Sequence, residues 1–163
     1  MKKYEMTSNV KEFLGHKLFQ IKALKDFGDV KAGDLGGYIE KEENLSHDGI
    51  AWVYRGAQVF GNAKVFDRAQ VFDGARIYGA ARVYGKTWIR NNAWIFNDAQ
   101  ISNNADYICF GGFGSENGNI TMFRTKNKNV LVYCDCFMGS LKGFEEKVKE
   151  TYGSSVYAKE CLA

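Results

Sequence analysis

The sequence predicts a mainly β chain organised as a parallel β-helix of about three 18-residue coils, capped by a C-terminal β-hairpin plus α-helix. Three observations predict it. A small residue recurs every sixth position, a branched aliphatic residue follows it two places later, and Gly, Asn and Asp crowd the positions between, in 163 residues without a proline.

The small residues are Ala51, Ala57, Ala63, Ala69, Ala75, Ala81, Ala93, Ala99 and Ala105, with Thr87 substituting once. The aliphatics are Val53, Val59, Val65, Val71, Ile77, Val83, Ile89, Ile95 and Ile101, with Tyr107 in the last unit. Residues two apart on a strand face the same side, so each unit offers one small and one branched side chain to a common interior. A strand of this length cannot stand alone, but it can stack on a copy of itself with backbone bonds running between coils. Three six-residue sides close a coil of 18 residues. Corner pairs such as Gly61-Asn62, Asp73-Gly74 and Asn91-Asn92 supply residues that tolerate positive φ.

Three regions follow: 1–45, an N-terminal cap segment; 46–108, the hexapeptide-repeat β-helix; and 109–163, a C-terminal α+β cap. In the first, His16–Leu24 reads as a short strand, Asp29–Gly37 is turn-rich, and Leu45 is in phase with the repeats. In the last, Gly111–Gly118 reads as a loop. Asn119–Thr125 and Val130–Phe137 read as strands joined by Lys126–Asn129. Ser140 is placed to cap a helix carrying Leu141, Phe144 and Val148, with Gly153 after it and a final short helix from about Ser155. The cap is expected to close the open end of the β-helix.

Apolar residues make up 45% of the chain, enough for a core, and a net charge of +3 is too mild to point to nucleic acid. No stretch approaches the roughly 20 apolar residues that span a bilayer, and no apolar run follows the N-terminal lysines as a secretory signal requires. The expectation is a soluble chain in the cytoplasm of a bacterial host cell, with Cys109, Cys134, Cys136 and Cys161 as thiols.

The repeat resembles the hexapeptide-repeat, left-handed parallel β-helix proteins, and the left-handed sense of the coil is what that resemblance implies. The whole chain resembles a phage and prophage hexapeptide-repeat family of uncertain role. The stretches that carry this are Lys22-Ala-Leu-Lys-Asp-Phe-Gly-Asp-Val-Lys-Ala-Gly-Asp-Leu-Gly-Gly-Tyr-Ile-Glu40, the repeats, Ile120-Thr-Met-Phe-Arg-Thr-Lys126 and Cys134-Asp-Cys-Phe137. The resemblance implies a phage setting and carries no catalytic residue.

Many hexapeptide-repeat proteins are acyltransferases that use a histidine as general base. His16 and His47 are the only histidines, and both lie outside the regular coils. His47 is in phase with the inward aliphatics and reads as a turn residue. No catalytic residue is therefore assigned. Cys134 and Cys136, two apart on one strand, could join Cys109 or Cys161, and His16, around a zinc ion, but a lone Cys-x-Cys also packs as core, and no metal or cofactor is assigned.

Residues 18 apart stack vertically. Lys64, Phe66 and Arg68 therefore lie under Arg82, Tyr84 and Lys86, putting four cations around two rings beside Asp67. This corner is the candidate partner-binding surface for an acidic protein face or phosphates; alternatively it is a solvated edge. Phe60, Tyr78 and Phe96 stack on a second corner beside Trp94, and Tyr54 and Phe72 on a third near Trp52 and Trp88, aromatic area that needs covering.

The favoured reading is a non-enzymatic phage- or prophage-encoded binding protein. Its partner is expected to be a host protein or protein complex, as for a counter-defence inhibitor of the anti-CRISPR type. Self-association into a homo-oligomer fits the aromatic faces; nucleic acid is less favoured, and no membrane contact is expected. The alternatives are a hexapeptide-repeat acyltransferase using His16 or His47, and a structural or assembly component of a phage particle.

Overall fold

A computed structural model describes residues 1–113, 117–135 and 137–162. The repeats form three parallel walls. Strands β4 (Trp52–Val53), β7 (Gln70–Val71) and β10 (Trp88–Ile89) make one wall. Strands β6 (Lys64–Val65), β9 (Arg82–Val83) and β12 (Gln100–Ile101) make another. Strands β5 (Gln58–Val59), β8 (Arg76–Ile77) and β11 (Trp94–Ile95) make the third. Val53 pairs with Val71, Val59 with Ile77 and Val65 with Val83, so each coil advances by 18 residues. Every small and aliphatic repeat residue from Ala51 to Ile101 is buried, and Thr87 is buried in its small slot, its hydroxyl donating to Tyr84 O at 2.7 Å.

The corners explain the Gly, Asn and Asp pattern. Gly49, Gly61, Asp67, Asp73, Gly79, Gly85, Asn91 and Asn97 all have positive φ, again six apart apart from one gap. At that gap the exposed Arg55 is not in the left-handed region and Gly56 is, with φ 93°. Gly49 has a second reason to lack a side chain: a Cβ there would meet Asp67 O at 2.3 Å.

The stack starts before the regular repeat. Strand β3 (Leu35–Ile39) pairs in parallel with β5, Ile39 opposite Val59, and Leu45 bridges to Val65. Two walls thus carry about four turns. These first pairings are offset by 20 residues rather than 18, and the two extra residues lie between Leu45 and Val53. Leu45 consequently occupies an aliphatic slot and is fully buried. His47 is displaced to the outside, where it stacks on Tyr4 at 4.3 Å.

Before β3, strands β1 (Tyr4–Phe13) and β2 (His16–Ala23) form an antiparallel hairpin that extends the same sheet. Its tight turn is Leu14-Gly15, both at positive φ. The hairpin and the following loop cover two aromatic corners. Phe13 packs edge-on against Phe60, and Phe27 and Tyr4 pack on Trp52, which is buried rather than exposed.

The C-terminal cap is larger than a hairpin. Residues 107–113, expected to include the start of a loop, form β13 (Tyr107–Phe113). It heads a four-stranded antiparallel sheet with β14 (Gly118–Arg124), β15 (Val130–Cys134) and β16 (Phe137–Ser140). Ser140 caps α1 (Leu141–Tyr152), its hydroxyl accepting from Gly143 N–H at 3.1 Å. Phe144 and Val148 of α1, with Ala158 of α2 (Val156–Leu162), pack on Ile120 and Val132; Leu141 is exposed instead.

This cap satisfies the last coil with side chains. Trp88 N–H donates to Asn104 Oδ1 at 2.7 Å, and the Tyr107 hydroxyl accepts from Arg90 N–H and donates to Trp88 O. Trp94 N–H donates to Thr121 Oγ1, and Ala99 bridges to Thr125. Groups that a further coil would have paired are thus satisfied. Among the described residues no helix is long and apolar enough to cross a membrane.

Candidate functional site

The hairpin turn delivers His16 to the outer wall of the coil. His16 opens β2, and Glu40 follows β3, the next strand of the sheet. His16 Nδ1 lies 2.9 Å from Glu40 Oε1, and the ring leans on Phe60 at 4.9 Å. The other carboxylate oxygen, Glu40 Oε2, accepts from Gly61 N–H at 2.7 Å. Glu40 is therefore pinned by a corner of the coil while it orients the imidazole. Partial burial would raise the Glu40 carboxyl, but its hydrogen bonds to His16 and Gly61, helped by the Lys41 charge, hold it below its ordinary value. An ionised Glu40 accepts a hydrogen bond from Nδ1–H, which makes Nε2 the basic nitrogen of neutral His16. The His16 side chain is 37% exposed.

His47 is arranged differently. Its Nδ1 accepts from Lys3 N–H at 3.2 Å, so in the neutral ring the proton sits on Nε2. Nε2 is buried and 3.7 Å from Glu42 Oε2, beyond hydrogen-bond reach. With one face on Tyr4, His47 supports the N-terminal turn and presents no basic nitrogen to solvent.

Four residues of the basic corner, Lys64, Phe66, Arg82 and Tyr84, are brought together. Lys64 pairs with Arg82 across adjacent coils, Phe66 and Tyr84 stack at 5.0 Å, and the Arg82 guanidinium lies over the Phe66 ring at 5.3 Å. Lys64, Arg68, Arg82 and Lys86 are exposed. Asp67 Oδ2 accepts from Gly85 N–H, which fixes the carboxylate between the coils.

The cysteines are spread over two packing regions. Cys109 packs against the main core, where burial pushes its thiol up and Thr121 donates to its sulfur at 3.6 Å; Cys134 of β15 and Cys161 of α2 pack against the cluster of Ile120, Val132, Phe144, Val148 and Ala158. Cys136 lies outside the described residues. Among those described, no group of three or more His, Cys, Asp or Glu side chains converges as a metal site requires.

Reading along the chain missed the His16–Glu40 pair, because the two residues are 24 apart and neither belongs to the repeat. The signal that could have found it is Leu14-Gly15. That turn places His16 at the start of β2, and the separate pairing of β2 with β3, Phe19 opposite Ile39, brings it beside Glu40.

The fold and the repeat make this a β-helix repeat protein. No family model matches the chain. It is similar to an uncharacterized acetyltransferase, YdcK, of Escherichia coli (strain K12), 39% identical over 70 residues that cover 37% of this chain. The match spans 22% of that relative's length. This similarity corrects the expectation of a chain that is not an enzyme. That expectation rested on the family setting, on the repeat running unbroken by an inserted loop, and on both histidines lying outside the regular coils; the fold places one of them, His16, against Phe60 of the coil. The phage setting implied by the resemblance is not something the fold or this relative carries.

Proposed function

We propose that the protein is an acyltransferase of the hexapeptide-repeat kind, moving an acetyl or similar acyl group from a thioester to a hydroxyl or amine, with His16 as general base. The observation that carries this reading is His16 held through Nδ1 by a carboxylate that is itself anchored to the coil at Gly61. A base oriented by a third group is what attack by a weak nucleophile needs. His16 Nε2 accepts the acceptor's proton as its oxygen or nitrogen bonds to the acyl carbon. The carbon–sulfur bond then breaks, and the leaving thiolate takes the proton back from Nε2. Glu40 is a positioning residue that fixes the tautomer and steadies the imidazolium. The similarity to a protein named as an acetyltransferase supports the same class of reaction.

The test is thiol release from acetyl-coenzyme A across a panel of hydroxyl and amine acceptors. A removed general base typically costs about 10²–10⁴-fold in rate, so His16→Ala is expected to lower kcat by that order. Glu40→Gln is expected to lower it less, and His47→Ala to leave it unchanged. Turnover that survives in a folded His16→Ala protein sinks the assignment.

A further inference from the structure

The three outer corners end differently. On one, Phe60, Tyr78 and Phe96 stack at 5.0 and 4.9 Å, and Phe123 and Tyr133 of the cap close on Phe96. On another, Tyr54 stacks on Phe72, and the Arg90 guanidinium takes the next rung, 5.8 Å from the Phe72 ring. On the basic corner, Phe66 stacks on Tyr84, but the residue over Tyr84 is Ser102, because Ile101 pairs with Val83. This ladder stops one ring short.

The missing rung is a cleft of about 480 Å³, lined among others by Tyr84, Ser102, Asn103, Arg124, Lys126 and Lys128. That volume lies within the range of about 300–1,000 Å³ usual for small-molecule sites. The walls are cationic. Arg124 is partly engaged, with Nε 3.5 Å from Asp106 Oδ1. Asp106, the acid in the cleft, spends its other oxygen on Ser102 and Asn103 donors. Lys126 and Lys128 are exposed and reach no carboxylate among the described residues. Arg82 and Lys64 continue the positive strip down the coil.

We infer that this cleft binds a nucleotide, its base stacked on Tyr84 as the third rung of the ladder and its phosphates held by Lys126, Lys128 and Arg124. A planar ring fits because the rung spacing of this corner is already that of stacked rings, and every base has a π-face for an aromatic platform. Phosphate fits because unpaired lysines and a guanidinium sit on the rim, where charge-assisted hydrogen bonds are strong. The ligand is a mononucleotide rather than a strand, since the ladder lacks a single ring. The inference does not depend on the acyl-transfer reading, because His16 lies on the β1–β2 hairpin, apart from this cleft.

Calorimetric titration of the full chain with ADP tests it. One saturable site is expected, with adenosine and inorganic pyrophosphate each binding at least about tenfold more weakly, because each lacks half of the recognition. Tyr84→Leu should weaken ADP by about tenfold. Ser102→Phe, which supplies the missing ring from the protein, should abolish binding in a chain that still unfolds cooperatively. If that variant folds poorly, the exposed pair Lys126→Glu and Lys128→Glu serves instead and should also abolish it. Coenzyme A carries the same ring and phosphates. Its binding with the same sensitivity to Tyr84→Leu would make the nucleotide part of an acyl donor, and ADP binding without it would make the ligand a free nucleotide. Absence of ADP binding, pyrophosphate binding as tightly as ADP, or preference for a single-stranded oligonucleotide would each overturn the assignment.

Discussion

The repeat body and the segments that wrap it are stabilised on different principles. In the body, a residue's role follows from its position modulo six. Ala75 and Ile77 are buried for the same reason as Ala57 and Val59 one coil below. In the wrapping segments, roles follow from single contacts. Tyr107 is the tenth member of the aliphatic series, yet it leaves the coil and uses its hydroxyl to pair the edge of β10. Lys3 has no repeat role and is fully buried, with Nζ donating to Ala51 O at 2.8 Å and lying 5.1 Å from the Phe27 ring. A change in the body should therefore be felt as packing, and a change in the wrapping segments as an unmade hydrogen bond or a misplaced charge.

The largest effect expected is in the body. Ala75 is fully buried in a slot that every coil fills with a small side chain. Ala75→Phe would force a ring between stacked coils, and overpacking of this kind costs about 1–3 kcal/mol, occasionally more. Chemical denaturation should show a lower midpoint with an unchanged slope. A variant that unfolds like the parent would mean that the small slot is not sterically closed.

The comparison also explains what could be read from the chain. The coil, the inward residues and the corner ladders were legible, because each is repeated and the repeats reinforce one another. So was the helix cap at Ser140, which is a local signal. The shift of Leu45 into the aliphatic slot was not, because two inserted residues break the count and only the Leu45–Val65 pairing reveals where. The burial of Trp52 was not, because it depends on Tyr4 and Phe27 folding back over it. The His16–Glu40 pair was hidden for the same reason: it is made by strand pairing across a hairpin. The four-stranded cap was read as a hairpin because Gly111 and Gly112 make β13 look like a loop.

An intermediate effect is expected at the junction of the two regions. Tyr107→Phe keeps the ring and removes the hydroxyl, leaving Trp88 O and Arg90 N–H without their partner at the end of the stack. A buried polar group left unpaired costs about 1–3 kcal/mol, and partial access to water at this edge should hold the loss near the lower figure. Hydrogen exchange should show faster exchange at Arg90 N–H with little change at Tyr54 N–H, which bonds to Val71 O inside the stack. Equal protection of Arg90 in both proteins would mean that another group, not the hydroxyl, closes this edge.

The third effect belongs to the wrapping segment alone and is read through pH. Burial pushes the Lys3 ammonium down to about 8, with Lys25 adding to the shift and Asp48 opposing it. In the unfolded chain the same group titrates near 10.4. Between these values the unfolded state binds more protons than the folded state, so this group makes stability rise with pH across that window. Over pH 8 to 9.5 the gain should be on the order of 1 kcal/mol. Other groups pull the opposite way. Burial raises the thiols of Cys109 and Cys161, and it holds the Tyr78 hydroxyl up at about 12, so these ionise more readily once unfolded. The measurement is therefore a difference. Lys3→Met keeps the buried stem and loses the charge, so parent and variant should differ most at pH 7 to 8 in the variant's favour, with the parent closing the gap as pH rises. Parallel stability curves for the two proteins would mean that Lys3 keeps its proton equally well folded and unfolded, and that its bond to Ala51 O fully offsets the lost hydration.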